Sequence, residues 1–337
     1  MQPVVVVPFA SEVHRREYYA GVYEILRSLL VKHGFEFYHN IVTSHEEAQK
    51  AGRKCQNFLP IALVLTGGVS SLIKSFIDSG KFERVLLFSH SEHNSLASAI
   101  SARNKLERDG VIGLVYHCHD IGSRECGLIV DRMAAVARAV AYVIGMKVGV
   151  VADREAKSED EELFESKFGA SVVVKSFDAF SAYMKNQSPD KLEEAKKLIA
   201  GRLGIDLASE HLDAVARLYL ALKSFAEEEK LDAVTVDCFP FIVKYGVTPC
   251  IPLAMLNYEG LIAGCEADLP AVLGLAVAKA LTGKSGWIAN TVDATFNRGV
   301  FAHCTIALDI AKNIKVLPHF ETGKPLALAG AFMGQTV

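Results

Sequence analysis

The chain has 337 residues, a formal net charge of −3, a hydrophobic fraction of 50% and a charged fraction of 22%, which excludes a disordered polymer and, with no basic block, a nucleic-acid-binding surface. No uninterrupted apolar run is long enough for a membrane span, since the longest candidate, 134–151, carries Arg138 and Lys147. The start, Met1-Gln2-Pro3-Val4, lacks the cationic region and extended apolar core of a signal peptide.

The length suits two domains rather than one core. The seven cysteines stand at 55, 118, 126, 238, 250, 265 and 304, an odd number with no CxxC pair. That pattern predicts reduced thiols in a cytoplasmic protein, each packed as a small hydrophobe.

Along the first 150 residues, apolar β-branched runs at 3–9, 35–41, 61–66, 84–89, 112–117 and 147–152 alternate with amphipathic segments at 15–32, 44–55, 70–79, 92–108 and 124–145. Near-continuous hydrophobic strands are covered on both faces, and strand–helix alternation with short turns makes a parallel sheet. The expected fold is α/β, with a flavodoxin-like or Rossmann-like layer. A second unit of the same kind begins near residue 148. It has strands at 170–177 and 233–237, polar helical sequence at 178–203 that includes a solvated charged face at 190–197, and a long helix at 206–229. Prolines and glycines between 238 and 250 predict irregular chain at strand ends, where α/β sheets bind ligands. An apolar helix at 269–281 follows, then strands at 287–291 and 300–308 and a small pair formed by 326–329 with 334–337. A strand running to Val337 suggests a chain shortened relative to its natural product. The expected domains are 1–146, 147–310 and the start of a β-rich C-terminal region at 311–337. No internal repeat of solenoid length is present.

Several polar clusters follow predicted strands. Thr66-Gly67-Gly68-Val69-Ser70-Ser71 lacks the spacing of a nucleotide loop and reads as a tight turn with a serine N-cap, against an alternative of phosphate or hydroxyl binding. In Ser89-His90-Ser91-Glu92-His93-Asn94-Ser95, His93 and Asn94 are candidates for hydrogen-bonding a polyol, with helix capping by Ser91 as the rival. His117 and His119 share a strand face but have no second ligand cluster at zinc spacing, so they read as satisfied polar residues. Asp237 ends a buried strand, where a carboxylate is costly unless it is solvated, paired or functional. It is a candidate substrate-binding group, with helix or loop capping as the alternative.

The densest chemistry lies between 252 and 304. Ala263-Gly264-Cys265-Glu266-Ala267-Asp268 precedes the apolar helix, Ile288-Ala289-Asn290-Thr291-Val292-Asp293 follows it, and Ala302-His303-Cys304 comes next. This region resembles the L-fucose isomerase and L-arabinose isomerase family of aldose–ketose isomerases. Members carry an Ala-Gly-x-Glu-x-Asp segment opening a hydrophobic helix, a second carboxylate on the next strand, and then a strand histidine, often as His-Cys. The layered α/β sequence before it is similar to that family as well.

The resemblance implies a divalent cation, usually Mn²⁺, held by Glu266, the position occupied by Asn290, and His303. It implies ketol isomerisation of a pentose or deoxyhexose through a metal-bound cis-enediol, with Glu266 as catalytic carboxylate. It also implies a homo-oligomer with active sites at subunit interfaces, the segment 90–95 serving a neighbour. Where the family has its second carboxylate, this chain has Asn290, which offers only a neutral oxygen and cannot act as a base. Asp293 could substitute as a catalytic carboxylate only if a bulge reversed its side of the strand. The family's last metal-binding histidine has no evident counterpart, and His319 does not obviously replace it. Without the resemblance, Glu266 reads as a carboxylate at a helix N-terminus and His303 as a buried strand histidine. The alternative function is therefore a catalytically reduced sugar- or polyol-binding relative with a sensor or regulatory role. A structural assembly subunit is a third reading.

Overall fold

Every residue of strand β1 (Val4–Phe9) is buried, because helices cover both faces of the sheet to which it belongs. Val4 and Val6 pack into one apolar cluster, and Val5, Val7 and Phe9 into another. This is the two-residue period of a strand expressed without any polar face. The structure, a computed structural model, describes residues 2–206 and 209–334. It divides into two compact units, Met1–Ala141 and Tyr142–Val337. Both contain parallel sheets flanked by helices, and antiparallel strands follow at the C-terminal end, as the sequence pattern predicts.

In the first unit β1 is followed by α1 (Arg16–Leu30), β2 (Glu36–Phe37), α2 (His45–Lys54), β3 (Leu59–Val64), α3 (Ser70–Gly80), β4 (Arg84–His90), α4 (Ser95–Arg108), β5 (Ile112–Cys118) and α5 (Arg124–Val143). The strands run parallel in the order β2-β1-β3-β4-β5, which is the flavodoxin-like order. The α1 face of Val22 and Leu26 and the α5 face of Val130 and Met133 cover one side, while α2, α3 and α4 cover the other. A reciprocal Ser44–Glu47 capping box starts α2.

Two of the expected caps are corrected. The N-cap of α3 is Val69, not a serine, and that of α4 is Asn94, not Ser91; neither makes a side-chain capping bond. The hydroxyl of Ser91 instead meets the rings of His117 and His119, at 3.3 and 2.9 Å.

The second unit contains β6 (Lys147–Ala152), α6 (Glu159–Phe168), β7 (Ser171–Ser176), α7 (Phe177–Lys185), α8 (Pro189–Leu203), α9 (Leu212–Glu229), β8 (Ala233–Val236), α10 (Cys238–Tyr245), α11 (Cys250–Glu259), β9 (Ile262–Cys265) and α12 (Leu269–Thr282). Its sheet is parallel in the order β7-β6-β8-β9. Val151, Val234 and Val236 face a core built with α7 to α11, whereas Val148, Val150 and Ile262 face α6 and α12. The hairpin β10 (Asn290–Thr295) and β11 (Arg298–Ala302) and the pair β12 (Ala311–Leu317) and β13 (Ala327–Phe332) complete the unit.

Several local expectations change. The helical stretch at 178–203 breaks into α7 and α8, since Ser188 caps the second helix and Pro189 occupies its first turn. The segment 238–250 is mostly helical, not irregular. Pro240 and Pro252 are the third residues of α10 and α11, where the missing N–H has no intrahelical partner to lose. The expected helix at 206–229 begins at Leu212, and residues 207 and 208 lie outside the described residues. The C-terminal pair forms between β12 and β13, while 335–337 of the expected last strand lie outside the described residues.

Four of the seven thiols are not reduced: Cys118 pairs with Cys126 and Cys238 with Cys265. Spacing along the chain hid the second pair, because its two cysteines are brought together only by neighbouring strands. Cys55, Cys250 and Cys304 are free and buried. Among the described residues no helix is long and apolar enough to cross a membrane.

Candidate active site at the carboxyl edge of the second sheet

β8 and β9 run side by side with Val236 opposite Cys265, so Asp237 and Glu266 are the next residues on two adjacent strand ends. The Cys238–Cys265 disulfide, with its Cα atoms 6.1 Å apart, ties the same two ends together. Gly264 allows α12 to lie close against β9, since a Cβ there would stand 2.6 Å from Val272 Cγ2. Ala263-Gly264-Cys265 is therefore strand, and Glu266 is a strand-end residue rather than the opening residue of a helix.

Glu266 and Ala267 both take left-handed backbone, with φ of 64° and 53°. That conformation is unfavourable for residues with a Cβ and persists only where the surroundings impose it. Here the backbone N–H of Ala267 donates to Val236 O at 3.1 Å, and that of Glu266 approaches Cys238 Sγ at 3.5 Å. Asp268 then caps α12, accepting the Ala271 N–H at 2.8 Å, which is the supporting role that its spacing from Glu266 suggests. The result is a half-exposed carboxylate turned out at the edge of the sheet, at 38% side-chain exposure.

His303 lies one residue beyond β11 rather than within a strand. Its side chain is 2% exposed, Nε2 is 3.7 Å from Glu266 Oε1, and among the described residues that nitrogen has no hydrogen-bond partner. Its Nδ1 faces Cys304 Sγ at 3.7 Å. Burial pushes the imidazole pKa down, but the Cys304 contact and the charges of Cys304, Glu266 and Glu321 outweigh it and leave the pKa raised. The Cys304 thiol is held well below its ordinary value, chiefly by a hydrogen bond from Cys250 and despite burial, with His303 adding to the effect. Cys250 is correspondingly raised.

Asp237 is half-buried and begins α10 without making a side-chain capping bond, so the capping alternative does not hold. Burial raises its pKa, Arg154 opposes the rise and Asp153 adds to it. Arg154 is itself engaged by the buried Glu161, with Nη1 2.8 Å from Oε2.

The remaining sequence candidates lie elsewhere. Asn290 and Asp293 sit on the exposed strand β10. The register does shift between Thr291 and Asp293, the irregularity that Asp293 would need. Among the described residues, no hydrogen bond or ion pair joins either residue to Glu266 or His303.

In the first unit, His93 and Asn94 follow β4 with left-handed φ of 49° and 58°. His93 Nδ1 is 3.0 Å from His14 Nδ1, its ring packs on Tyr18, and its carbonyl accepts the Gly67 N–H at 2.6 Å. Tyr18 in turn donates to Glu92 at 2.9 Å. This loop is thus held by His14, Tyr18 and the Gly67 backbone. His117 is satisfied by Ser89 and Ser91, as expected of a strand-end histidine.

Sequence reasoning missed Arg154, the disulfide, and the approach of Cys250 and His319 to Cys304. The proline at 249 marked the neighbourhood of Cys250, but nothing in local spacing connects it to the other two.

No protein-family model matches the chain. Its sequence is similar to proteins named sulfoquinovose isomerase. It is 24% identical over 182 residues to those of Priestia aryabhattai and Priestia megaterium, covering 51% of this chain and 41% of each relative. It is 27% identical over 167 residues to that of a Clostridium species, covering 45% of this chain and 37% of the relative. The matched segment therefore spans less than half of these relatives' length. The likeness supports a distant relationship to sugar isomerases in general, and does not single out the L-fucose and L-arabinose isomerases.

Proposed function

We propose that this chain takes part in aldose–ketose isomerisation of a sugar, with Glu266 as the carboxylate that moves the proton. The observation that carries this reading is the pairing of a strained, solvent-facing Glu266 with a buried His303 nitrogen that has no partner, 3.7 Å away. A carboxylate oxygen and an imidazole suit Mn²⁺ or another divalent cation. The unpartnered Nε2 fits such a role, and Glu266 and His303 would hold the ion, with Asn290 contributing at most a neutral oxygen. When bound, the cation would polarise the sugar carbonyl.

Glu266 would take the proton from C2 of the open-chain aldose and return it to C1, the sugar passing through an enediol. A carboxylate beside the substrate is what base catalysis at carbon requires. Asp237, whose pKa is raised by burial, would exchange the proton between the two oxygens. The substrate is a pentose or a deoxyhexose, and sulfoquinovose, the sulfonated deoxyhexose that names the relatives, belongs in the same test. A homo-oligomer in which His93 and Asn94 reach a neighbour's sugar completes the proposal.

The second reading, a sugar binder without turnover, is favoured by Asn290, which is neutral and lies on an exposed strand. Incubation with Mn²⁺ and a panel of pentoses, deoxyhexoses and sulfoquinovose separates the two. Ketose formation with solvent deuterium appearing at the isomerised carbon supports the isomerase. Sugar-dependent thermal stabilisation without ketose supports the binder.

A further inference from the structure

Three buried side chains from three separate segments of the second unit converge away from solvent. Cys250, Cys304 and His319 are 1%, 8% and 2% exposed, and one ligand atom of each lies within 4.8 Å of the other two. Both cysteines are free thiols. We propose that Cys250, Cys304 and His319 form a thiolate–imidazole metal site, distinct from the Glu266–His303 pair, that takes a soft or borderline divalent ion such as zinc.

The donor set selects the ion. Two thiolates and one imidazole favour zinc and disfavour Mn²⁺, which prefers oxygen. The scaffold is built to hold the set in place. Cys250 is the first residue of α11, which fixes its backbone position. Thr305 Oγ1 donates to Cys250 O at 3.0 Å, fastening the Cys304 segment to the start of that helix. Leu326 N donates to Thr248 Oγ1 at 3.0 Å, and Leu328 N donates to Cys304 O at 3.1 Å, which ties the last segment to both others. His319 is fixed in its turn by His319 N to Lys324 O at 2.7 Å and Gly323 N to His319 O at 2.8 Å. Its Nδ1 accepts the Thr322 N–H at 3.3 Å. Each thiol gives up its proton to solvent as the ion binds. Three protein ligands leave a fourth tetrahedral position for water or for a group from a ligand.

The test is elemental analysis of the full chain expressed with zinc, followed by cobalt substitution. The expected result is about one zinc per chain that survives dialysis, and a cobalt form with a near-ultraviolet thiolate charge-transfer band. Cys250→Ser and Cys304→Ser should each lower retained ion at least tenfold, while Glu266→Gln and Cys265→Ser keep the ion and the band. Wild-type protein with neither retained zinc nor the band overturns the site, whatever the variants do. So does retention indifferent to both serine variants, or a Cys250–Cys304 disulfide in the purified chain. Loss of the ion in Glu266→Gln would assign it to the other pair, and loss of the band in Cys265→Ser would assign it to Cys265, His303 and Cys304; either result rejects this assignment. Circular dichroism of each variant separates ligand loss from unfolding.

Discussion

His303 Nε2 stands 3.7 Å from Glu266 Oε1, too far for a hydrogen bond between them and close enough for one further atom to touch both. An imidazole nitrogen buried without a partner is a cost that a stable core does not ordinarily retain. A ligand that approaches both groups would remove that cost, and this relationship is the basis of the first two predictions.

Glu266→Gln keeps the shape of the side chain and removes the base. Under the proposed function, isomerase kcat should fall by about a hundred- to ten-thousand-fold. The melting temperature should stay near that of the parent, because the carboxylate is half-exposed and its backbone conformation is imposed by Val236 and Cys238. Activity that persists in this variant would remove Glu266 from the mechanism.

His303→Leu replaces the ring, whose Nε2 lacks a hydrogen-bond partner among the described residues, with an apolar side chain. Burial pushes the imidazole pKa down, but contacts with Cys304 and Glu266 leave it above its ordinary 6.5. Such a group contributes its stability below 6.5 and loses it as pH rises through the raised folded value. The variant should therefore gain on the parent as pH increases. In chelator at high pH it should be as stable as the parent or more stable, by up to about 1–3 kcal/mol. Urea unfolding at several pH values measures this, and a gap that is constant with pH would contradict the ionisation argument. Under the proposed function, isomerase activity should be lost throughout.

Asp237→Asn tests the strand-end carboxylate. Burial raises the Asp237 pKa above its ordinary 3.8, so the folded state binds a proton more tightly than the unfolded state does. Stability attributable to this group then falls as pH rises from 3.8 through the folded value. The asparagine variant should melt higher than the parent at neutral pH, and the difference should vanish near pH 3.8 and below. A variant that melts lower at neutral pH would show that the ionised carboxylate is stabilised, by Arg154 above all.

Gly264→Ala places a Cβ 2.6 Å from Val272 Cγ2 and should cost about 1–3 kcal/mol. Val272→Ala in the same chain should recover part of that loss, because the clash is with a side-chain methyl. Denaturant unfolding of the two single variants and the double variant gives the coupling. Strict additivity would mean that β9 and α12 separate freely at this point.

The sequence by itself determined that this is an α/β protein and where most helices and strands lie. Those properties are local. A run such as Val4–Phe9 shows that both sheet faces are covered, and Asp268 followed by Leu269-Pro270 marks a helix start three residues long. Even local signals misled where two meanings compete. Pro240 read as a loop marker although a proline fits the first turn of a helix, and Gly264 read as part of a helix entry although it lies in a strand that packs closely on α12. Only the tertiary structure decided that Cys238 reaches Cys265, that His303 faces Glu266, that Cys250, Cys304 and His319 converge, and that Asn290 stays out on an exposed strand. These depend on which strand ends become neighbours and on how distant loops are tied together. Sheet order and loop contacts arise from the packing of the whole chain, so no short window of residues records them.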